Sequence, residues 1–233
     1  MLSLCNPHIE DLPITISKRP DMSSFDSHLL TTPTTLADVM SCLPQEGAVA
    51  FPLVNESGCA KMLQAIESLK FRDGTPVVGS PGNEVHQDFT ICMNFEGKSA
   101  LNDYQAAFEK QLNAAFELMA PQPYKTPFSF NDTAALRYHE GSTGISPHRD
   151  LVCFEAVIAI LTLSGEAGFY ICDDRDKTNA KRMEAKAGVM ILMRGKNFAG
   201  IEERPFHFVE GITKERVGFG LRYNVREPRV RTQ

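Results

Sequence analysis

Two histidines and one aspartate of this sequence have the types and spacing of metal ligands. His148 and Asp150 are two positions apart, so on an extended strand their side chains point to the same side and can bind one ion together. His207, far downstream, supplies a third donor. Three protein ligands on one face of a metal leave its other positions open. Iron(II) and zinc both accept these donors, so the three residues alone do not identify the metal.

A second informative group lies on a predicted strand near the end of the chain. One face of that strand carries Arg216, Gly218, Gly220, Arg222 and Asn224. An unpaired guanidinium buried in an apolar core is costly. An arginine can instead bind a carboxylate through two parallel N–H groups, and glycines leave room for the ligand. The pattern therefore predicts a pocket for a dicarboxylate. A hairpin turn around Gly211-Ile212-Thr213 is expected to place Arg216 on the strand beside His207.

The chain holds a second His-x-Asp, His86-Gln87-Asp88. A long predicted helix separates this pair from His207, which favours His148 and Asp150 as the metal pair. His86 and Asp88 are then either close to the substrate mouth or surface polar residues. His139 is expected to face solvent.

These motifs together resemble the Fe(II)/2-oxoglutarate-dependent dioxygenases, over roughly residues 134 to 226. Leu136-Arg137-Tyr138 is similar to the strand that, in AlkB-like members, carries a tyrosine that hydrogen-bonds to 2-oxoglutarate. The spacing of Arg216, Gly218 and Arg222 is similar to the arginine strand of the family. Gly218 stands where a Ser or Asn is often found, and Leu136 stands where AlkB has an Asn.

The resemblance implies a role for each matching residue. Iron(II) would be bound by His148, Asp150 and His207. Arg216 would pair with the distal carboxylate of 2-oxoglutarate and Tyr138 would hydrogen-bond to it. Arg222 would line the pocket near the co-substrate or the substrate.

The elements around these residues predict an α+β, mainly β fold. Helices are predicted at 34–43, 57–69 with Ser57 as N-cap, and 99–119. Strands are predicted at 47–53, 89–95, 134–139, 155–163, 168–172, 187–194, 204–209 and 216–225. Many short strands separated by turns are typical of an antiparallel barrel or jelly roll. We expect a double-stranded β-helix (jelly roll) braced by the N-terminal helices.

The length fits a single oxygenase domain, 1–233. Within it we expect an extended arm at 1–33, flanking helices and strands at 34–127, and the jelly-roll core at 128–233. The loop from Gly74 to Gly82 is a candidate lid.

Composition limits the function classes. The net charge of −5 provides no general basic field and argues against a nucleic-acid substrate. The six cysteines form no metal-finger spacing and are expected to be reduced core thiols. There is no signal-peptide pattern and no apolar stretch long enough for a membrane span. We expect a cytoplasmic location.

Three functions are compatible with these observations. The first is an Fe(II)/2-oxoglutarate-dependent oxygenase, with O2 as co-substrate and succinate and CO2 as co-products, that hydroxylates a small molecule such as an amino acid or natural-product intermediate. The second is an AlkB-like oxygenase of nucleic acid or protein. The third is a cupin-like metal-binding protein without oxygen chemistry.

Overall fold

The computed structural model describes residues 25–93 and 99–226. Residues 1–24 of the expected arm lie outside the described residues, as does the end of the strand predicted at 89–95. A 3-10 helix, Phe25–His28, opens the described part. The α-helices are α1 (Pro33–Met40), α2 (Leu43–Glu46), α3 (Glu56–Glu67) and α4 (Ala100–Leu118). The strands are β1 (Ala48–Pro52), β2 (Arg72–Asp73), β3 (Val77–Val78), β4 (Val85–Asp88), β5 (Thr90–Met93), β6 (Asp132–Tyr138), β7 (Gly144–His148), β8 (Phe154–Cys172), β9 (Lys181–Met183), β10 (Val189–Arg194) and β11 (Phe206–Asn224).

The strands pair in antiparallel fashion, and two long ones organise the rest. The main order is β1-β10-β8-β11-β6-β5-β2, and β7 pairs with both β11 and β4. The 19-residue strands β8 and β11 run beside each other along their length. The first part of β11 pairs with β7 and its last part with β6. The predicted jelly roll, mainly β and flanked by helices, is confirmed.

The predicted hairpin at 211–213 is wrong. Strand β11 continues through this region, and only its register against β8 shifts, between Glu210 and Lys214. Gly211 has a φ of 65°, which bends the strand without reversing it. His207 and Arg216 therefore lie on one bent strand rather than on two neighbouring strands.

The predicted strands 155–163 and 168–172 likewise form a single strand, β8. Gly165 stands at the bend with a φ of 87°. A Cβ added there would lie 2.0 Å from the backbone oxygen of Glu215 on β11. Only glycine fits so close to the neighbouring strand, and this contact keeps β8 and β11 paired where both bend.

Helix α4 covers the sheet face opposite the site. Its buried stripe consists of Leu101, Tyr104, Ala107, Phe108, Leu112, Ala115 and Phe116. The Tyr104 ring meets Phe219 of β11 edge to face, with centroids 5.9 Å apart. Phe219 lies between Gly218 and Gly220, and side chains alternate along a strand. The apolar face of β11 is thus fixed against α4, and the other face is left for the arginines.

Two predicted helix boundaries and one burial prediction are corrected. Ser57 is not the N-cap of α3, because the Asn55 side chain accepts the Gly58 N–H at 2.9 Å. The helix predicted at 34–43 is divided, because α1 ends at Met40 and α2 begins at Leu43 with Pro44 in its first turn, where a proline needs no N–H. The cysteines of the described residues are free, but Cys42 is exposed and not in the core.

Among the described residues no helix is both long and apolar enough to cross a membrane.

Candidate metal centre

His148, Asp150 and His207 lie together, with one potential ligand atom from each residue within 4.8 Å of the others. Strand pairing brings the histidines together, because His207 of β11 is the register partner of His148 at the end of β7. Their ring centroids are 4.2 Å apart. Asp150 follows β7 and turns its carboxylate back, so that Oδ2 is 3.7 Å from His207 Nε2.

Backbone carbonyls orient both imidazoles. His148 Nδ1 is 2.9 Å from the Ser146 oxygen, and His207 Nδ1 is 3.5 Å from the Pro205 oxygen. A carbonyl can only accept, so each Nδ1 carries the proton and each Nε2 offers its lone pair to a ligand. The Phe169 ring stacks on the His207 ring, with their centroids 5.7 Å apart, and this contact helps to fix the orientation of the imidazole.

The protonation states suit a cation. Burial, with a smaller contribution from His148, lowers the pKa of His207 to about 3. Burial also lowers the pKa of His148. Burial acts to raise the pKa of Asp150, but nearby positive charge, chiefly that of Arg222, outweighs it, and this pKa lies below its usual value. The site therefore presents two neutral imidazoles and one carboxylate.

Asp150 Oδ2 is buried and has no hydrogen-bond partner in the described chain. A buried carboxylate oxygen without a donor is costly unless a cation binds it. The imidazole nitrogens beside it complete the two-histidine, one-carboxylate donor set of a facial metal site. These residues fit Fe(II), and by donor type alone they also fit Zn(II).

Arg216 is buried in the same cavity, only 2% exposed, and no carboxylate of the described residues forms a salt bridge with it. Its Nη2 donates to Thr162 Oγ1 at 2.9 Å, and its Nε has no partner. Its guanidinium carbon is 5.6 Å from the centre of the Tyr138 ring. Burial lowers the pKa of Arg216, although an arginine remains a cation in proteins. The side chain is placed to bind an anion that enters the cavity.

Arg222, by contrast, already faces two carboxylates. Its Nε is 3.7 Å from Asp150 Oδ1 and its Nη1 is 3.6 Å from Asp132 Oδ1. Its guanidinium also lies 5.4 Å from the ring centre of Phe154. Arg222 lines the cavity as expected, and it provides the counter-charge of Asp150.

The two glycines between the arginines leave room for the guanidinium groups. A Cβ on Gly218 would lie 3.4 Å from Arg216 Nη1, and one on Gly220 would lie 3.5 Å from Arg222 Nη1. Each arginine thus folds over the neighbouring glycine. The small residues on this face allow two large cations to lie side by side.

The cavity has a volume of about 510 Å³ and contains the metal cluster, Arg216, Arg222 and Tyr138. Tyr138 is 4% exposed, and burial raises the pKa of its hydroxyl, which stays protonated and able to donate. The rest of the wall is mainly apolar, with Val85, Phe89, Ile91, Leu136, Ile145, Ile160, Phe169 and Val209 among its members. Such a site combines polar groups with an apolar wall that can contact an organic molecule.

The second His-x-Asp pair is outside this cluster. His86 and Asp88 are exposed on β4, whereas the alternate residues Val85 and Gln87 face the cavity. Asp88 Oδ2 accepts the backbone N–H of Thr143 at 2.8 Å. His86 and Asp88 are surface residues of the strand whose other face forms the wall. His139 is also exposed, as expected.

The structure adds three residues that the sequence did not single out. Thr162 binds Arg216 and Asp132 faces Arg222. Arg175 donates to the backbone oxygens of Asn83 and Glu84, and to that of Pro147 beside His148. Thr162 is the one polar residue of the apolar run from Ala156 to Leu163, and this contrast was a usable signal. Nothing in the sequence pattern marks the partners of Asp132 or Arg175.

No protein-family model and no curated protein sequence matches the chain. Solved structures do match it. A prolyl-4-hydroxylase from Pseudomonas putida superposes with a TM-score of 0.55 at 18% identity, over 81% of this chain and 98% of that one. A prolyl hydroxylase from Trichoplax adhaerens, solved with a peptide fragment of hypoxia inducible factor, has a TM-score of 0.61 at 11% identity, over 86% and 94%.

A third match is an oxidoreductase of the 2OG-Fe(II) oxygenase family from Burkholderia pseudomallei. Its TM-score is 0.56 at 12% identity, over 81% of this chain and 90% of that one. The chain therefore has the fold of the Fe(II)/2-oxoglutarate oxygenases, as the motif resemblance implied. At these identities the likeness establishes the fold, and the chemistry has to be argued from the site.

Proposed function

We propose that this protein is an Fe(II)/2-oxoglutarate-dependent oxygenase. The observation that carries the proposal is Arg216, a buried guanidinium without a carboxylate partner in the described chain, in the same cavity as His148, Asp150 and His207. A metal site and an anion site that share one cavity suit a co-substrate that binds both. The oxygenase fold of the matched structures supports the same reading.

Arg216 also separates this proposal from a cupin-like protein that binds zinc without oxygen chemistry. Such a protein needs the three metal ligands but has no use for a buried cation beside them. Keeping an unpaired guanidinium in an apolar wall is unfavourable unless an anion offsets it. A dicarboxylate would provide that offset through one end while its other end reaches the metal.

In the proposed enzyme each residue has a defined task. His148, Asp150 and His207 hold iron, and Arg216, with Thr162 behind it, binds the distal carboxylate of 2-oxoglutarate. Tyr138 keeps its proton and donates a hydrogen bond to the co-substrate. Bound iron would supply O2 chemistry, in which O2 accepts two electrons from 2-oxoglutarate, giving succinate and CO2, and two from a substrate C–H bond. The apolar walls exclude water and hold the substrate carbon near the metal.

We further propose a small-molecule substrate. The cavity is mainly apolar, and its volume lies in the range of small-molecule sites. The net charge of −5 gives little support for a nucleic-acid substrate. A single oxygenase domain and a cytoplasmic location complete the proposal.

The test is succinate formation from 2-oxoglutarate under air. We expect the purified chain to form succinate when Fe(II) is added and not when Zn(II) replaces it. His148→Ala should abolish the reaction, and His86→Ala should not. Tightly bound zinc together with no iron-dependent succinate, in the presence of a panel of small acids, would favour the non-oxidative alternative.

A further inference from the structure

Among the described residues that line the cavity, Arg72 carries a charge that the proposed chemistry does not use. This residue is exposed at its outer end on β2 and lines the cavity wall. Its one hydrogen bond in the described chain runs from Nη1 to the backbone oxygen of Asp73 at 3.3 Å. It forms no salt bridge with a described residue.

The carboxylates that line the cavity are engaged with another arginine. Two carboxylates line the cavity, those of Asp132 and Asp150, and both face Arg222 at 3.6 and 3.7 Å. The remaining basic wall residue near the metal, Arg149, pairs with Glu203 and stacks on Phe206. Among the described residues of the cavity wall, Arg72 is therefore a cation that is left for a ligand.

Strand register connects Arg72 to the metal end by an apolar path. Arg72 pairs with Ile91, Ile91 with Leu136, and Leu136 with Gly218 beside Arg216. Partners across antiparallel strands point to the same face, so Ile91 and Leu136 form a floor between the two arginines. Three steps of about 4.8 Å place Arg72 about 14 Å from Gly218.

The mouth of the cavity is apolar as well. Val78, Met93 and Leu151 are among the exposed large apolar residues of the described chain, and all three border the cavity. A cavity with apolar walls and rim and one outer cation is complementary to an elongated molecule with an apolar body and one anionic end.

We propose that the substrate is such a molecule, an amphipathic organic anion whose anionic group binds Arg72 and whose apolar body lies over Ile91 and Leu136. This inference rests on the proposed function, because it assigns the substrate class of the same cavity. It places the body of the substrate, rather than its charged end, beside the metal.

The test compares octanoate with 1-octanol, which has the same body without the charge. Binding is measured by calorimetry on the full chain with Zn(II) and excess 2-oxoglutarate, so that Arg216 is already occupied. We expect octanoate to bind about tenfold more tightly than octanol, and Arg72→Gln to remove that preference while leaving octanol binding unchanged. Arg72→Lys should retain most of the preference for octanoate over octanol.

Two further variants complete the design. Arg182→Gln removes an exposed arginine outside this cavity and should change neither affinity. Ile91→Gln should weaken both ligands, because it makes the floor polar. The inference is overturned if octanoate and octanol bind equally, if neither binds, or if Arg72→Gln and Arg182→Gln behave alike.

Failure of this inference can be told apart from failure of the proposed function. Binding is measured with zinc and does not depend on turnover, and 2-oxoglutarate binding is titrated separately beforehand. If iron-dependent succinate forms but octanoate binding does not depend on Arg72, the proposed oxygenase activity stands and the proposed substrate class is wrong. If octanoate binding depends on Arg72 but no iron-dependent succinate forms, the proposed ligand class stands and the proposed oxygenase activity is wrong.

Discussion

Arg222 and Asp150 face each other inside the cavity, with Nε of the arginine 3.7 Å from Oδ1 of the aspartate. Both side chains are largely shielded from water, at 15% and 11% exposure. In the metal-free protein the guanidinium is thus the main counter-charge of a buried carboxylate. A bound metal ion would share this task.

Arg222→Met should destabilise the metal-free protein, by about 3 kcal/mol or more, because it removes the main counter-charge of the buried Asp150 carboxylate. Added Zn(II) should then raise the melting temperature of the variant by more than it raises that of the wild type, since the ion replaces the lost charge at Asp150. Thermal melts with and without metal test this, with Arg182→Met as the control. Equal stabilisation of both proteins by metal would contradict the proposed pairing.

The metal ligands can be separated from the second His-x-Asp pair by iron content. His148→Ala and Asp150→Ala should abolish iron binding, because each removes one of three donors that lie within 4.8 Å of one another. His86→Ala and Asp88→Ala should bind iron like the wild type, since both side chains are exposed on the outer face of β4. Anaerobic equilibrium dialysis measures all four. Loss of iron in the second pair of variants would show that the site is wrongly assigned.

Arg216→Met should weaken 2-oxoglutarate binding by roughly 100-fold and leave iron binding intact, because a charge-assisted bidentate contact is lost. The same variant should unfold at the same or a higher temperature without ligand, since a buried cation is replaced by an apolar side chain of similar length. Calorimetric titration and thermal melts measure the two effects. A strongly destabilised variant would instead indicate a structural role for Arg216.

Gly218 offers a graded test of the same anion site. Gly218→Ala should bind 2-oxoglutarate nearly as well as the wild type, because the new Cβ would stand 3.4 Å from Arg216 Nη1, an ordinary contact. Gly218→Val adds methyl groups that must displace the guanidinium, and its affinity should fall. Gly220→Val crowds Arg222 instead and should affect 2-oxoglutarate less. Equal affinities for both Gly218 variants would show that Arg216 does not set the binding.

The sequence predicted which residues the candidate site brings together better than it predicted the path of the chain through that site. Metal donors are few in type, and alternation along a strand fixes which of them share a face, so His148, Asp150 and the arginine face could be read directly. The bend at Gly211 could not be predicted from the sequence, because a glycine with positive φ can either reverse a strand or only bend it. Pairing with β8 decides between these, and that pairing is a long-range contact.

Partners that depend on tertiary contacts were missed for the same reason. Asp132 meets Arg222 because β6 and β11 are paired, and their register is visible only in the folded chain. Arg72 reaches the cavity because β2 is the last strand of the same sheet. Neither residue stands in a motif, and both acquire their roles from their position across the sheet.

The most direct test of the central claim is an anaerobic titration of the purified chain with Fe(II) and 2-oxoglutarate, followed by visible absorption. A keto acid that chelates iron(II) produces a charge-transfer band that neither component gives alone. We predict this band for the wild type and His86→Ala, its absence in His148→Ala, and a requirement for far more 2-oxoglutarate in Arg216→Met. No band with both components in excess, or an unchanged titration in Arg216→Met, would contradict the assignment.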